Sequence, residues 1–410
     1  MRQLGVEVVG SVQQRLLAMV HEEGLGDFED SNSELCTIKV RGVGLHGLRP
    51  SEAPLDCGNS GTTARLLSGI LAGQHFSSTL VGDASLSKRP FKRVVDPLSQ
   101  MGARFSGDKL PLTIEGGVLR GIEYLSPHAS AQVKSAIILA GLYSADPVSV
   151  TEPRLSRDHS ERMLTAMGCA VSQRELSGGS WKIALPPADK RGPLKPLNID
   201  IPGDFSAAAF FLVAGSVFPD SKIVVEGVGY NATRIGLFNI LKRMGASISL
   251  ENRRQQGGEE VVDFVVETAA LRGIELDEQD VVLAIDEIPV FAIAAAAAEG
   301  RTTVRGAKEL RVKESDRIAM TVAILRSFGV EVEEFEDGFT IQGDPKLGRE
   351  IRCAATGGDE PWRVCGDHRI SMTGALLELL VTGELRLDDV AAVETSFPTF
   401  MRCLEGILAE

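Results

Sequence analysis

The chain has 410 residues, 43% apolar and 24% charged, the balance of a globular protein too long for one ordinary core, so two domains of about 200 residues are expected. Its formal net charge of −13 argues against nucleic acid or an anionic membrane surface as a partner, because both need a net basic face. The longest apolar stretch, Ile288–Ala298, is broken by Pro289 and too short to span a bilayer, and no signal-peptide pattern follows Met1, so a cytoplasmic location is expected.

Taken in chain order, two elements alternate. Met1–Val8 reads as the tail of an amphipathic outer helix, stopped at Gly5, with the strand that follows it. No apolar helix precedes it, so the chain is expected to start partway through a repeat. Asn59–Gly73 is the first apolar inner helix, opened by a polar loop and ended by glycine. Leu98–Phe105 is then an outer helix end, a Leu-x-x-apolar-Gly stop running into a strand. Ser130–Gly141 and Leu164–Val171 repeat the pair, and the Pro- and Gly-punctuated stretch Pro186–Gly203 reads as a linker. Asp204–Gly215, Leu241–Ile248, Asp286–Gly300, Leu325–Val332 and Asp367–Gly383 continue the alternation, with a looser outer end near Phe400–Leu408. Arg253–Glu260 reads as a solvated hairpin tip and nothing more. The pattern predicts an α/β fold of repeated β-α-β-α-β-β units around buried inner helices, divided into residues 1–200 and 201–410.

The cysteines (Cys36, Cys57, Cys169, Cys353, Cys365 and Cys403) form no C-x-x-C pair, so they read as reduced, buried small hydrophobes with no metal role. Against the acidic background, two basic clusters stand out: Lys88, Arg89, Lys92 and Arg93, and then Arg311, Lys313 and Arg317. Each is either a solvated face or a pocket for a small, highly anionic ligand. The Gly-rich loop Cys57–Thr63 opens a helix whose free N–H groups suit an anion, although such loops are more commonly ordinary caps. In Arg311–Arg317, Lys beside Glu supplies an acid and a base, and arginine supplies a clamp for carboxylate or phosphate. Asp286-Glu287 and Gly366-Asp367-His368-Arg369 both open inner helices. One carboxylate of the former pair is read as a cap and the other as facing a cleft, while His368 reads as structural. An arginine (Arg89, Arg157, Arg234, Arg317) stands 11 to 13 residues before each of four outer-helix glycines.

Six segments in order, Gly58–Thr62, Lys88–Pro90, Ser130–Ala136, Ser156–His159, Arg311–Arg317 and Gly366–Arg369, resemble the EPSP synthase family. The resemblance covers essentially the whole chain. It implies an inverse α/β barrel-like enolpyruvyl transferase fold of two globules. It also implies transfer of the enolpyruvyl group of phosphoenolpyruvate to the 5-hydroxyl of shikimate 3-phosphate, without metal or cofactor, by a chain working as a monomer. By that resemblance Lys313 and Glu314 move protons and Asp286 accepts the proton of the attacking hydroxyl. Arg89, Arg317 and Arg369 hold phosphoenolpyruvate beside Asn59, Gly61 and Thr62, whereas Ser130, Ala131, Gln132 and Arg157 hold shikimate 3-phosphate. The family's opening Gly-Asp-Lys-Ser motif and its following arginine are not found here. Thr395 stands where some members carry a phosphoenolpyruvate-binding lysine. Little turnover by this chain is therefore expected. The alternatives are an anion-binding fragment of that enzyme and an enolpyruvyl transferase for a UDP-sugar. The second uses a reactive cysteine on a mobile loop, where this chain has the cysteine-free Lys88–Pro90.

Overall fold

The computed structural model describes residues 1–9, 37–348, 366–382 and 391–406. Its first full unit runs Leu55–Asp56 (strand), Gly61–Ala72 (inner helix), Ser77–Val81 (strand), Lys92–Met101 (outer helix), Arg104–Phe105 and Leu112–Glu115 (two strands). The first two strands pair in parallel, which the intervening helix makes possible, and the fourth inserts antiparallel beside the second, leaving the third at the edge. The second unit repeats this pairing with Ile122–Leu125, Val148–Glu152, Ser172–Glu175 and Trp181–Leu185 around the helices Ala131–Gly141 and His159–Ala166. In the third, built on the helices Phe205–Val217 and Gly236–Met244, the first strand shrinks to a single parallel bridge from Gly203 to Val228. The fourth keeps the order with Glu275–Leu276, Gly300–Val304, Glu331–Phe335 and Gly338–Gly343. An additional helix there, Glu278–Ala284, precedes the inner helix and starts with a capping box between Asp277 and Asp280, which the sequence reading missed. At the chain start, the turn Arg2–Leu4 ends at a left-handed Gly5, and Glu7–Val9 pairs antiparallel with Lys39–Arg41.

Glycine ends the outer helices for a backbone reason. Gly102 (φ +118°) and Gly245 (φ +98°) are left-handed, which any side chain would strain, and each donates its N–H to carbonyls of the last turn. Most inner helices lack a polar stripe, which favours burial on most sides. Phe205–Val217, Ile288–Ala296 and His368–Thr382 are buried along nearly their whole lengths. Apolar clusters follow the chain: two draw on residues between Leu4 and Leu185, and the largest lies wholly between Phe205 and Leu404. The inner helices Gly61–Ala72 and Ala131–Gly141 touch backbone to backbone at Gly69, where a Cβ would sit 2.2 Å from the Ala136 carbonyl oxygen. Gly69→Val is accordingly expected to lower stability by about 1–3 kcal/mol, read as a lower urea midpoint at unchanged slope.

Two local expectations, the hairpin tip and the cysteines, need correction. The Arg253–Glu260 tip is not merely solvated: Glu259 meets His159 Nδ1 at 2.7 Å and Asn231 Nδ2 at 3.0 Å. A period-two pattern cannot show such a contact with a distant segment. The Pro186–Gly203 stretch is held along part of its length, since Arg191 donates to the carbonyls of Pro186, Ser144 and Asp146 at 2.7–2.8 Å. Cys57 and Cys169 are buried as expected, but Cys403 is exposed; Cys36, Cys353 and Cys365 lie outside the described residues.

Residues before and after this stretch touch at several places. Asp158 Oδ1 accepts from Asn231 Nδ2 at 2.7 Å and Thr233 Oγ1 at 3.3 Å, all buried. Arg93 meets Glu309 at 2.9 Å and Arg154 meets Glu278 at 3.1 Å, both on the surface. Among the described residues no helix is long and apolar enough to cross a membrane.

Candidate active site

The repeat places the start of each inner helix, and the loop before each outer helix, at one side of its sheet. Carboxylates from the former and arginines from the latter therefore meet. Asp286, just before the inner helix Ile288–Ala296, is the centre. Its Oδ2 accepts a short hydrogen bond from Arg157, and its Oδ1 lies 3.3 Å from Lys313 Nζ and 3.4 Å from Arg317 Nη1. Arg369 Nη1 reaches its backbone carbonyl at 3.3 Å. Burial alone would raise the Asp286 pKa, but Lys313, Arg157, Arg369 and Arg317 together hold it well below the usual carboxylate range.

Glu314 is shared between two arginines: Oε1 meets Arg89 Nη1 at 3.1 Å and Oε2 meets Arg317 Nη2 at 2.8 Å. Burial pushes its pKa up, and the two guanidiniums more than reverse this. Arg317 is fully buried and forks onto Asp367, with Nε to Oδ2 at 2.9 Å and Nη2 to Oδ1 at 3.2 Å; Ser315 Oγ shares Oδ2 at 2.9 Å. Asp367 is likewise held low, Arg317 outweighing burial. Burial, helped by Arg369 next to it, lowers the His368 pKa and keeps that ring neutral.

The Gly-rich loop closes the other end. Arg89 Nη2 donates to Asn59 Oδ1 at 3.1 Å, and Asn59 Nδ2 donates to Asp83 at 2.5 Å. Ser60 caps the helix through the Thr63 N–H, as the capping reading held, so capping and a ligand-facing loop coexist. Thr62 Oγ1 accepts from Gln132 Nε2 at 2.7 Å. Ser130 and Ala131 open the same helix as Gln132, and the Ser130 side chain makes no capping bond.

The structure thus joins Asn59, Arg89, Glu314, Arg317, Asp286, Lys313, Arg157 and Arg369 in one polar network, with Gly61, Thr62 and Gln132 forming an adjoining group. The basic clusters divide. Lys92 pairs with Asp96 in solvent, and Arg311 pairs with Asp316 and Glu334, away from Asp286. Neither carboxylate of Asp286-Glu287 caps its helix: Asp286 faces the arginines, and Glu287 is buried and accepts from Ser206 Oγ. Arg234, the fourth of the spaced arginines, binds Asp204 and Ser206 at 2.7 Å, which places it behind Glu287. Sequence reasoning missed Arg65, whose Nη1 donates to Gln132 Oε1 at 2.8 Å, because one arginine in an apolar helix carries no motif. Thr395 belongs to the helix Ala391–Ser396, and its side chain lies outside the described residues.

The pattern that defines EPSP synthase (3-phosphoshikimate 1-carboxyvinyltransferase) matches residues 17–404. The chain belongs to the EPSP synthase family. A 3-phosphoshikimate 1-carboxyvinyltransferase of Geotalea uraniireducens is 47% identical over 377 residues, covering 91% of this chain and 83% of that protein. One of Xylella fastidiosa is 50% identical over 365 residues, covering 88% and 76%. A solved EPSP synthase of Acinetobacter baumannii superposes with a TM-score of 0.79 at 40% identity, over 99% of this chain and 85% of that one. The enolpyruvyl transferase NikO of Streptomyces tendae, at 16% identity and a TM-score of 0.55, shares the fold. Membership of the EPSP synthase family makes the chain a transferase of that type.

For an EPSP synthase, the depressed carboxylates have a consequence for stability. Asp286, Glu314 and Asp367 are each more acidic folded than unfolded, so their stabilising contribution is present above their unfolded values near 4 and is lost as pH falls through the folded ones. Urea midpoints are expected to hold near neutrality and to fall steadily from about pH 4 downward. A midpoint flat to pH 3 would contradict the ion network.

Proposed function

We propose that the cleft transfers the enolpyruvyl group of phosphoenolpyruvate to the 5-hydroxyl of shikimate 3-phosphate, with release of phosphate. The observation that carries this reading is Asp286, one carboxylate surrounded by Arg157 from the first half and Lys313, Arg317 and Arg369 from the second. Such a surplus of cations suits two ligands that each bear phosphate and carboxylate. Arg89, Arg317 and Arg369 would take phosphoenolpyruvate beside Asn59, Gly61 and Thr62, and Ser130, Ala131, Gln132 and Arg157 would take shikimate 3-phosphate. Arg317 is the most constrained, because Nε and Nη2 are given to Asp367 and Glu314, and Nη1, held only by the longer 3.4 Å contact to Asp286, is the nitrogen a ligand would compete for.

A carboxylate held this acidic is a poor base. The bound anions would compete for Arg157, Lys313 and Arg369, loosening their hold on Asp286 and returning basicity to it as the 5-hydroxyl arrives. Lys313 lies 3.3 Å from Asp286 and Glu314 shares Arg317 with it; the pair would protonate the methylene carbon and take a proton back from that carbon as phosphate leaves the tetrahedral intermediate. Closure over the ligands would exclude water and strengthen each of these charge interactions. The separate apolar clusters support reading residues 1–200 and 201–410 as the two bodies that close. The working unit of this reading is a monomer.

Phosphate release that requires both substrates tests the reading directly. Calorimetric binding of both without any release would reduce the chain to an anion-binding protein. Turnover with a UDP-sugar in place of shikimate 3-phosphate would move it to the other transferase class.

A further inference from the structure

Gly61 opens the inner helix Gly61–Ala72, and one turn later Arg65 folds back over it. A Cβ at position 61 would lie 2.6 Å from Arg65 Nη1, with Leu86 Cδ1 at 3.5 Å on its other side. That nitrogen is the one that donates to Gln132 Oε1 at 2.8 Å. An arginine only donates, so it fixes the Gln132 amide with its oxygen toward Arg65 and its NH2 toward Thr62 Oγ1. The other end, Nη2, reaches the Pro90 carbonyl next to Arg89 at 3.4 Å, and the guanidinium lies over the Phe91 ring at 4.9 Å. No hydrogen bond to a carboxylate holds Arg65 among the described residues; its charged neighbours are Arg89 and Arg93 and, with a weaker influence, Glu314 and Glu309. The side chain is therefore held by one amide oxygen, one carbonyl and one ring, and its tip is the part that yields when something is added at position 61.

We propose that Arg65 is a positioning residue that transmits the identity of residue 61 to the Gln132 amide, so that a side chain added at the phosphoenolpyruvate edge is also felt where shikimate 3-phosphate binds. Adding a methyl at 61 displaces a flexible guanidinium and leaves the backbone in place, so the loop keeps its shape. What is lost is the hydrogen bond that orients Gln132, and the amide becomes free to turn. The functional half of this inference rests on the substrate assignment proposed above. The structural half does not.

Selective 15N labelling of glutamine side chains reads the structural half without any ligand, with the Gln132 signal assigned by its loss in Gln132→Met. The Gln132 amide pair is expected to move in Gly61→Ala and in Arg65→Met, with no additional movement when Gly61→Ala is made on the Arg65→Met background. Shikimate 3-phosphate affinity, measured by calorimetry, should fall roughly tenfold in each single variant and no further in the double. Arg65→Lys, which keeps one donor, should recover part of that loss, whereas a purely structural role would give no such rescue. An unmoved Gln132 signal in Gly61→Ala, or losses that simply add, would overturn the relay. If the amide moves as expected while the unaltered chain fails to bind shikimate 3-phosphate, the relay stands and the substrate assignment falls.

Discussion

Asp286→Asn is expected to lower kcat by roughly 10²- to 10⁴-fold, the usual worth of a positioned general base. Asparagine keeps the shape and one acceptor oxygen, so the inner helix Ile288–Ala296 and the loop carrying Arg157 should stay in place. It removes the negative charge on which Arg157, Lys313 and Arg317 converge. Two effects then separate. The proton of the 5-hydroxyl loses its acceptor, which slows the chemical step. The freed cations gain a stronger pull on anionic ligands, so phosphoenolpyruvate and shikimate 3-phosphate should bind at least as tightly as before. Rapid-quench single turnovers with parallel calorimetry check both. A variant with near-normal single-turnover rates would remove Asp286 from the proton path. A variant that binds neither substrate would make it an organiser of the cleft instead.

The largest stability effect is expected at Lys134, one turn into the inner helix Ala131–Gly141. Its ammonium is buried, 3.0 Å from Glu152 and 2.9 Å from Glu161, and it donates to the Ser156 carbonyl at 3.1 Å. Glu152 in turn accepts from the Ser156 N–H at 2.8 Å and from its hydroxyl. The cluster fixes the loop that carries Arg157 to the cleft. Lys134→Met keeps the volume and strands two buried carboxylates, so a loss of about 3–5 kcal/mol is expected by urea unfolding. The pH dependence identifies the cause. Burial raises the Glu161 pKa even with Lys134 beside it, and without Lys134 it rises further. A carboxyl with a raised folded pKa contributes fully below its unfolded value and loses that contribution as pH rises through the folded one. The deficit of Lys134→Met should therefore be smaller at pH 5 than at pH 8. A deficit independent of pH would point to packing rather than stranded charge.

The repeat was legible because each copy carries its own backbone punctuation. A glycine at a left-handed helix stop and an apolar run without a polar face are each set by the backbone or by burial, as Gly102, Gly245 and Ile288–Ala296 show, and so can be read without knowing the neighbouring residues. Strand order was less legible. The hairpin of each unit inserts its second strand beside the parallel pair, a choice made by sheet packing that no local pattern encodes. In the site, Lys313, Glu314 and Arg317 were legible as a dense charge cluster, but the division of labour was not: Arg311 and Asp316 in the same cluster pair away from Asp286, and Arg317 spends two of its nitrogens on Asp367 and Glu314. Arg65 stayed hidden because its meaning lies in a distance to Gln132, 67 residues away in sequence.

The contacts between the two halves differ in kind along the interface, and this bears on how salt acts. Arg93–Glu309 and Arg154–Glu278 are open to water, where added salt shortens the screening length below its physiological value of about 8 Å and weakens them. The Asp158–Asn231–Thr233 contacts are buried and largely beyond the reach of the added ions. Raising ionic strength thus loosens the contacts at the surface while the buried ones hold. Salt is therefore expected to weaken Arg93–Glu309 and Arg154–Glu278 first, leaving the Asp158 contacts as the ones that persist at high ionic strength.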